Sequence, residues 1–584
     1  MTPANRTLAD LPDGAAFDVA VLGAGAAGMA AAVFAAVDGA RVLLVERTEH
    51  VGGTSAYSAA TAWIPNTRHA EAIGADDSLE KARGFLNRVV GNRSPSAMRD
   101  AFLEAGPAAI DTLEDRAGVH FRARPFHPDY LHEVEGSTSF GRALEPLPFD
   151  ASILGDDLQL IRPTIPEFTI LGGLLVDRDD IAHLLKMTSS LKSLAYSMRL
   201  IGSYYVQKAR HGRGTRLVMG NALIGQLLAA ARRHGVTIAT ETDVTAFNGP
   251  EHAVTGVTLR QNGLERSVTV AGGVILASGG FTRHPTRRGE MLPAPLAANS
   301  PSAPGHTGAL HDLALAKGAV YGTGAASNVY WAPCSVRKRP DGTTAVFPHF
   351  VLDRSKPGTL AVGRDGRRFT NESRSYHEFT LAMYAANRDG SHMPVFLVAD
   401  AGTLAKYGLG MVRPGGKGLQ PYLDDGYLVQ GATLGELAGK LGIDAAGLEE
   451  TAARMNRFAE TGKDEDFHRG ETVYERGNGD ATHVPNPTLG PVRTAPFYAV
   501  RLEPGDIGAA TGLSCDTNAR VLDGEGRPID GLYACGNDMQ SIMGGVYPGP
   551  GITIGPGMTF GYLAARHARA RAQSAGGGSA HAAA

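Results

Sequence analysis

Between Phe17 and Glu46 the chain reads FDVAVLGAGAAGMAAAVFAAVDGARVLLVE, and this segment constrains the fold more than any other. The apolar run Phe17–Leu22, the GxGxxG of Gly23–Gly28, an alanine-rich helix to about Gly39 and a second apolar run ending at Glu46 form one βαβ unit of about 30 residues. Gly23 permits the tight turn, Gly25 lets backbone approach a pyrophosphate, and Gly28 lets helix and strand pack closely. The free N–H groups at the start of the helix, at Ala26 and Ala27, then face the phosphates. Glu46, placed after the second strand, is positioned to accept hydrogen bonds from ribose hydroxyls.

One competing reading is a membrane span, because Val19–Val37 carries no charge. Three glycines inside the run favour a strand, a turn and a helix, and no basic stretch precedes it as in a signal peptide. Glycine is abundant throughout, 75 of 584 residues, about 13% against a usual 7%. With 43% hydrophobic residues and no Gly-X-Y period, collagen-like and disordered chains are excluded. A net charge of −3 argues against a nucleic-acid partner. Three cysteines without metal-ligand spacing predict no metal site and suit a cytoplasmic protein.

After Glu46 the chain continues RTEHVGGTSAYS, where Gly52 and Gly53 extend the backbone-lined groove and Thr54 and Ser55 add small hydroxyls. In this segment the chain resembles the FAD-dependent fumarate reductase and 3-ketosteroid dehydrogenase superfamily. The resemblance implies an α/β fold: a Rossmann-like FAD-binding domain of glutathione reductase type with an inserted α+β substrate or cap domain. It also implies FAD, held non-covalently because no histidine lies between Gly52 and Trp63. A strand over Val236–Phe247 would bring backbone near Val244 to the adenine, and Gly272–Phe281 would return the chain to the cofactor. The remaining contacts implied by the resemblance are Arg47, Ala277, Ser278, Gly279, Asn537, Asp538, Gly551, Ile552, Thr553 and Ile554. No second GxGxxG follows a later strand, so no separate nicotinamide domain is expected.

The richest chemistry lies in GLYACGNDMQSIMGGVYPGPGITIGPGMTFGYLAARHA, Gly531–Ala568, with seven glycines between Gly544 and Gly561. Its Tyr547-Pro548-Gly549-Pro550-Gly551 run is similar to that of the 3-ketosteroid Δ1-dehydrogenases, which implies that the Tyr547 hydroxyl and the Gly551 amide hold a ketone oxygen. Removing a proton alpha to a ketone builds negative charge on that oxygen, and each preorganised donor lowers the barrier by about 3 kcal/mol. No arginine occurs between Gly531 and Tyr562 to clamp a dicarboxylate.

GRDGRRFTNESRSYHEF, Gly363–Phe379, resembles the family segment that ends in the catalytic base, here Tyr376, although Ser375 stands where many relatives have proline. Tyr130, in HPDYLHEVEGSTSFGRALEP, matches a tyrosine that relays the base's proton. A free tyrosine ionises near pH 10, so the pairing of Tyr130 with Tyr376 beside a flavin is expected to lower that value. Arg364, Arg367, Arg368 and Arg374 read either as an anion site or, preferably, as a solvated turn around Asp365-Gly366.

The motifs divide the chain into an N-terminal tail (1–15), a first FAD-binding part (16–325), a substrate domain (326–495), a second FAD-binding part (496–572) and a flexible tail (573–584). From Ile181 to Thr240 there is no Asp or Glu but there are nine Lys or Arg, and Ile181, Leu184, Leu191, Leu194, Met198, Ile201 and Tyr205 recur at helical spacing. Such a stripe is either one buried helix face or a peripheral membrane contact.

The expected activity is desaturation of a ring ketone, above all 3-ketosteroid Δ1-dehydrogenation. Tyr376 takes the alpha proton, FAD N5 takes the beta hydride, and Tyr547 with Gly551 stabilises the enolate. The expected partners are a small apolar ketone and an external electron acceptor, whether quinone, oxygen or protein. Alternatives are a smaller cyclic ketone such as a cyclohexanone, the steroid 4,5 bond, and a non-catalytic FAD-fold binding or escort role.

Overall fold

A computed structural model of the chain describes residues 7–296 and 298–581. Strand β1 (Ala15–Leu22) leads through the glycine turn into helix α1 (Ala26–Val37), and β2 (Val42–Val45) returns parallel to β1. The uncharged run is therefore split between a buried strand and a buried helix. No helix among the described residues is long and apolar enough to cross a membrane.

β3 (Thr237–Ala239) adds parallel to β2, and the expected single strand over 236–247 is two strands. Glu241, at φ 52°, breaks the run, and β4 (Asp243–Asn248) pairs antiparallel with β5 (Gly256–Gln261) instead. β6 (Leu264–Leu276) unites the two halves: its first residues pair antiparallel with β5, and its last run parallel to β1 and to the strand Pro528–Ala534. A small-residue helix such as α1 fits between this parallel sheet and the final helix because alanine and glycine keep the backbones close.

The first expected tail is packed: Leu8 and Leu11 are buried, and the Leu8 N–H donates to Gln261 Oε1 at 2.8 Å. Two helices, α2 (Arg178–Leu185) and α3 (Leu191–His211), form a hairpin on the outside of the molecule. A second, six-stranded sheet comprises Val329–Lys338, Thr344–Pro348, Thr359–Val362, Val395–Asp400, Leu428–Gly431 and Phe497–Ala509, with apolar clusters on both faces. Helix α4 (Tyr376–Ala386) packs on its strand Val329–Lys338.

The expected return to the FAD-binding part at 496 is displaced. Phe497–Ala509 is hydrogen-bonded to three strands of the second sheet, so the chain leaves that sheet only after Ala509. Helix α5 (Ile554–His581) begins in the glycine-rich loop, packs on α1 and β6, and stays helical through 573–581, where a flexible tail was expected; residues 582–584 lie outside the described residues.

Candidate active site

The nucleotide groove is made of backbone. A Cβ on Gly28 would lie 1.9 Å from Gly23 O, and one on Gly23, at φ +112°, would lie 2.3 Å from Ala277 O. Turn, helix and the end of β6 are thus closed on one another, and no side chain fits between them. Gly25 differs, because nothing lies within 4 Å of the place its Cβ would take. That open cradle, with the α1 N-terminus behind it, fits a dinucleotide pyrophosphate.

Gly52, in the left-handed region, donates its N–H to Ala24 O at 2.7 Å, which brings Gly53 alongside Gly25. Ser55 Oγ accepts the Ala26 N–H at 3.3 Å, and Thr54 Oγ1 accepts the Ala303 N–H at 2.9 Å. Buried Glu46 accepts from the Ala24 N–H (3.0 Å), the Thr48 N–H (2.9 Å) and the Thr48 hydroxyl (2.8 Å). With about four acceptor positions on a carboxylate, one remains for a ribose hydroxyl. Arg47 pairs with Asp243 at 2.9 Å, beside Val244.

Asp538 turns inward rather than toward a ligand. It is fully buried and accepts from the Ser278 and Gly280 N–H groups and the Ser278 hydroxyl, with His311 Nε2 at 2.9 Å. Burial opposes its ionisation, but the bonds from His311 and Ser278 hold it below the usual carboxylate range. Its work is to fasten the Ser278-Gly279 turn to the loop before α5. Asn537, Ile552 and Thr553 instead line a narrow cleft with Tyr330 and Ser541, next to Ile554 at the start of α5.

The three tyrosines come together from positions 130, 376 and 547. The Tyr130 and Tyr376 hydroxyls are 3.3 Å apart. The Tyr547 ring lies 5.1 Å from that of Tyr376 and stacks at 5.7 Å on that of Tyr130. The Tyr547 hydroxyl interacts with those of Tyr376 and Thr553. Local structure fixes each residue. The Tyr130 N–H donates to Pro548 O at 2.8 Å, tying its loop to the Tyr547 loop. Tyr376 is the first residue of α4, and Ser375 caps that helix by accepting the Glu378 N–H, which a proline could not do. Gly551 sits at φ +91°, where an added Cβ would lie 2.3 Å from Thr61 O. Its carbonyl accepts the Trp63 N–H, whereas its own N–H has no acceptor among the described residues.

The expectation that the tyrosine pair lowers the pKa of Tyr376 fails within the chain itself. Burial, then the neighbouring Tyr130 and Tyr547, push Tyr376 well above 10. A feature that favours its phenolate is its place at the positive N-terminus of α4.

Several residues of the cluster have no motif. Asp129 is buried between Trp63 Nε1 (2.7 Å), Arg142 (2.9 Å) and the Thr138 N–H (3.0 Å), and so anchors Tyr130. Tyr330 bonds Ser541 at 2.6 Å and sets its ring 5.1 Å from Tyr547. Tyr474 packs 5.0 Å from Tyr130 with a buried, unpartnered hydroxyl. His377, next to the expected base, accepts the Trp331 N–H and is pushed down to about 4 by burial. His306 places Nε2 3.3 Å from Thr54 Oγ1 in the groove. The only advance signal was adjacency, since Asp129 and His377 flank expected tyrosines.

The arginine cluster is neither an anion site nor wholly solvated. Arg367 pairs with Glu450 and Arg374 with Glu378, but buried Arg368 joins Glu372 and Asp464, and Glu372 also meets Arg469. This ion network underlies the turn before Tyr376. An open cavity of about 490 Å³, lined by Asn371, Arg374, Glu378 and His468, lies beside that turn and includes none of the three tyrosines.

Residues 18–554 match the family described as FAD binding domain. The chain is 36% identical to a 4-oxocyclohex-2-ene-1-carboxylate 5-dehydrogenase of Sinomonas cyclohexanicum, covering 94% of this chain and 93% of that one. It is also 36% identical to a 3-oxosteroid 1-dehydrogenase of Mycobacterium tuberculosis, covering 94% and 98%. Among solved structures, the 3-ketosteroid Δ1-dehydrogenase of Sterolibacterium denitrificans in complex with 1,4-androstadiene-3,17-dione superposes with a TM-score of 0.88 at 33% identity, over 95% of this chain and 99% of that one.

Proposed function

We propose, from the premise that this chain belongs to the family of FAD-dependent 3-oxosteroid and oxocyclohexane-carboxylate dehydrogenases, that it introduces a C=C bond alpha,beta to a ring ketone, with 3-ketosteroid Δ1-dehydrogenation as the reaction its site fits best. The observation that carries this reading is the meeting of the Tyr376 and Tyr547 hydroxyls beside a Gly551 N–H that has no acceptor among the described residues. Tyr376 removes the alpha proton and Tyr130, 3.3 Å away, hands it on. Tyr547 and Gly551 donate to the ketone oxygen as it gains charge, each worth about 3 kcal/mol where water is excluded. Bound FAD supplies the acceptor for the beta hydride. The chain holds the FAD non-covalently through the groove of Gly23–Gly28 and Gly52–Ser55, and a quinone, oxygen or a protein takes the electrons onward.

In this reading the first sheet belongs to a glutathione reductase-type lobe and the second to an inserted substrate lobe, whose end moves from 495 to about 509 because Phe497–Ala509 pairs within it. Three free cysteines suit a reducing compartment such as the cytoplasm, with peripheral contact at a membrane surface.

A second reading, desaturation of a smaller cyclic ketone, rests on the equal identity to the Sinomonas enzyme. The uncharged aromatic walls around Tyr376, formed by Phe350, Tyr130 and Tyr547, favour the neutral steroid over a carboxylate. Each relative named above is a dehydrogenase, which leaves the escort role without support.

Anaerobic mixing of the flavoprotein with 4-androstene-3,17-dione or with 4-oxocyclohexanecarboxylate, followed at the flavin absorbance, tests both. Rapid bleaching by the steroid is expected. Bleaching by the small ketone alone selects the second reading, and bleaching by neither overturns both.

A further inference from the structure

The α2–α3 hairpin is built the wrong way round for a helix pair facing water. α3 buries Ser193, Ser197, Leu200 and Tyr204 and turns large apolar side chains outward. Ser193 is 4% exposed and Ser197 0%, while Leu191 is 85% exposed, Met198 60% and, on α2, Leu185 69%. Of the sixteen large apolar side chains exposed among the described residues, nine lie between Leu171 and Val206. So dense a patch on one short segment marks a contact surface rather than ordinary scatter.

The hairpin is not a loose loop that happens to be caught open. Asp177 caps α2, and fully buried Asp180 receives both Arg216 nitrogens (3.0 and 3.1 Å) and the Tyr196 hydroxyl at 2.6 Å. Beneath it, Leu174, Val176, Leu200 and Tyr204 form a small core of their own. The outward face is therefore held in place.

Charge identifies what covers it. Lys186, Lys192, Arg199, Lys208 and Arg210 are exposed on the same hairpin and form no ion pair among the described residues, while residues 181–240 contain no carboxylate. At about 100° per residue, Leu191, Leu194, Met198 and Tyr205 fall within about 60° of one another on α3, and Lys192, Arg199 and Arg210 line one flank. A narrow apolar stripe bordered by unpaired cations is the pattern of a helix lying in the headgroup region of an anionic bilayer, where long cationic side chains reach back to the phosphates.

We infer that residues 171–211 dock this protein on an anionic lipid surface. The hairpin hangs from the segment that leads to Tyr130, since Asp179 at the start of α2 binds Arg122 and Arg124. The docked face consequently lies next to one approach to the tyrosine cluster. The docking stands independently of which ketone is the substrate.

Flotation of the full-length flavoprotein with phosphatidylcholine vesicles, with and without phosphatidylglycerol, tests it. Co-flotation with the phosphatidylglycerol vesicles and its loss at high salt are expected. The triple variants Leu185→Ser/Leu191→Ser/Met198→Ser and Lys192→Glu/Arg199→Glu/Arg210→Glu should each lower the floated fraction by about tenfold or more, with flavin content and melting temperature unchanged. No flotation with either vesicle, or undiminished flotation of both variants, overturns the inference. So does a dimer in sedimentation that the serine variant dissociates, because a second copy then covers the face.

Discussion

The nucleotide groove and the tyrosine cluster differ in what they are made of. In the groove, backbone amides meet the ligand, and the essential property of Gly23, Gly25 and Gly28 is the absence of a side chain. In the cluster, three hydroxyls and one amide act, and each is delivered by a separate piece of local structure: a loop tied to Pro548, a helix capped by Ser375, and a glycine turn pressed on Thr61. Changing the groove should therefore remove the cofactor, whereas changing a hydroxyl should remove the reaction and leave the cofactor in place.

The largest effect is expected at Gly28. A Cβ there meets the Gly23 carbonyl at 1.9 Å, so Gly28→Val should yield protein without bound flavin, read from its visible spectrum. Retention of full flavin would break the comparison. Next is Tyr376→Phe, which keeps the ring and removes the acceptor of the proton. Flavin content should stay at the wild-type level while reduction by substrate slows about 10²–10⁴-fold in stopped flow. Tyr547→Phe removes one of two donors and should cost about 10²–10³-fold in the same measurement. A drop in flavin content alongside either rate would show that groove and cluster are not separable.

The smallest effect is on stability, and it touches both regions. His306 beside the groove, His377 beside Tyr376 and His127 on the Tyr130 loop are each pushed down to about 4 by burial. An unfolded chain protonates histidine near pH 6.5 and the folded state does not, so their contribution is complete above about pH 6.5 and declines as the pH falls toward 4. Each is worth as much as about 3 kcal/mol at the acid end. Denaturant unfolding should show a lower midpoint at pH 5 than at pH 7, and His306→Gln should flatten part of that difference.

The two regions also differed in legibility. In the groove, contacts run between near neighbours in the chain, so spacing alone located the turn, the helix and Glu46. Even there, the sequence misassigned Asp538, because whether a carboxylate points at a ligand or at Ser278 and His311 depends on how distant segments pack. The tyrosines were found by their motifs, but Asp129, Tyr330 and Tyr474 were not, since burial beside a tyrosine leaves no periodic mark. The hairpin shows the same limit from the other side. Its helical spacing was readable, yet spacing is identical whether the leucine face or the serine face is buried.

By itself, then, the sequence determined whatever depends on local backbone: the βαβ unit, the glycine-made groove, and the residue types able to move a proton. Only the tertiary structure decided which sheet holds Phe497–Ala509, which face of α3 meets the solvent, and where the three tyrosines meet. Those outcomes depend on contacts between segments hundreds of residues apart. Such contacts are set by the packing of whole surfaces, which no short stretch of chain encodes.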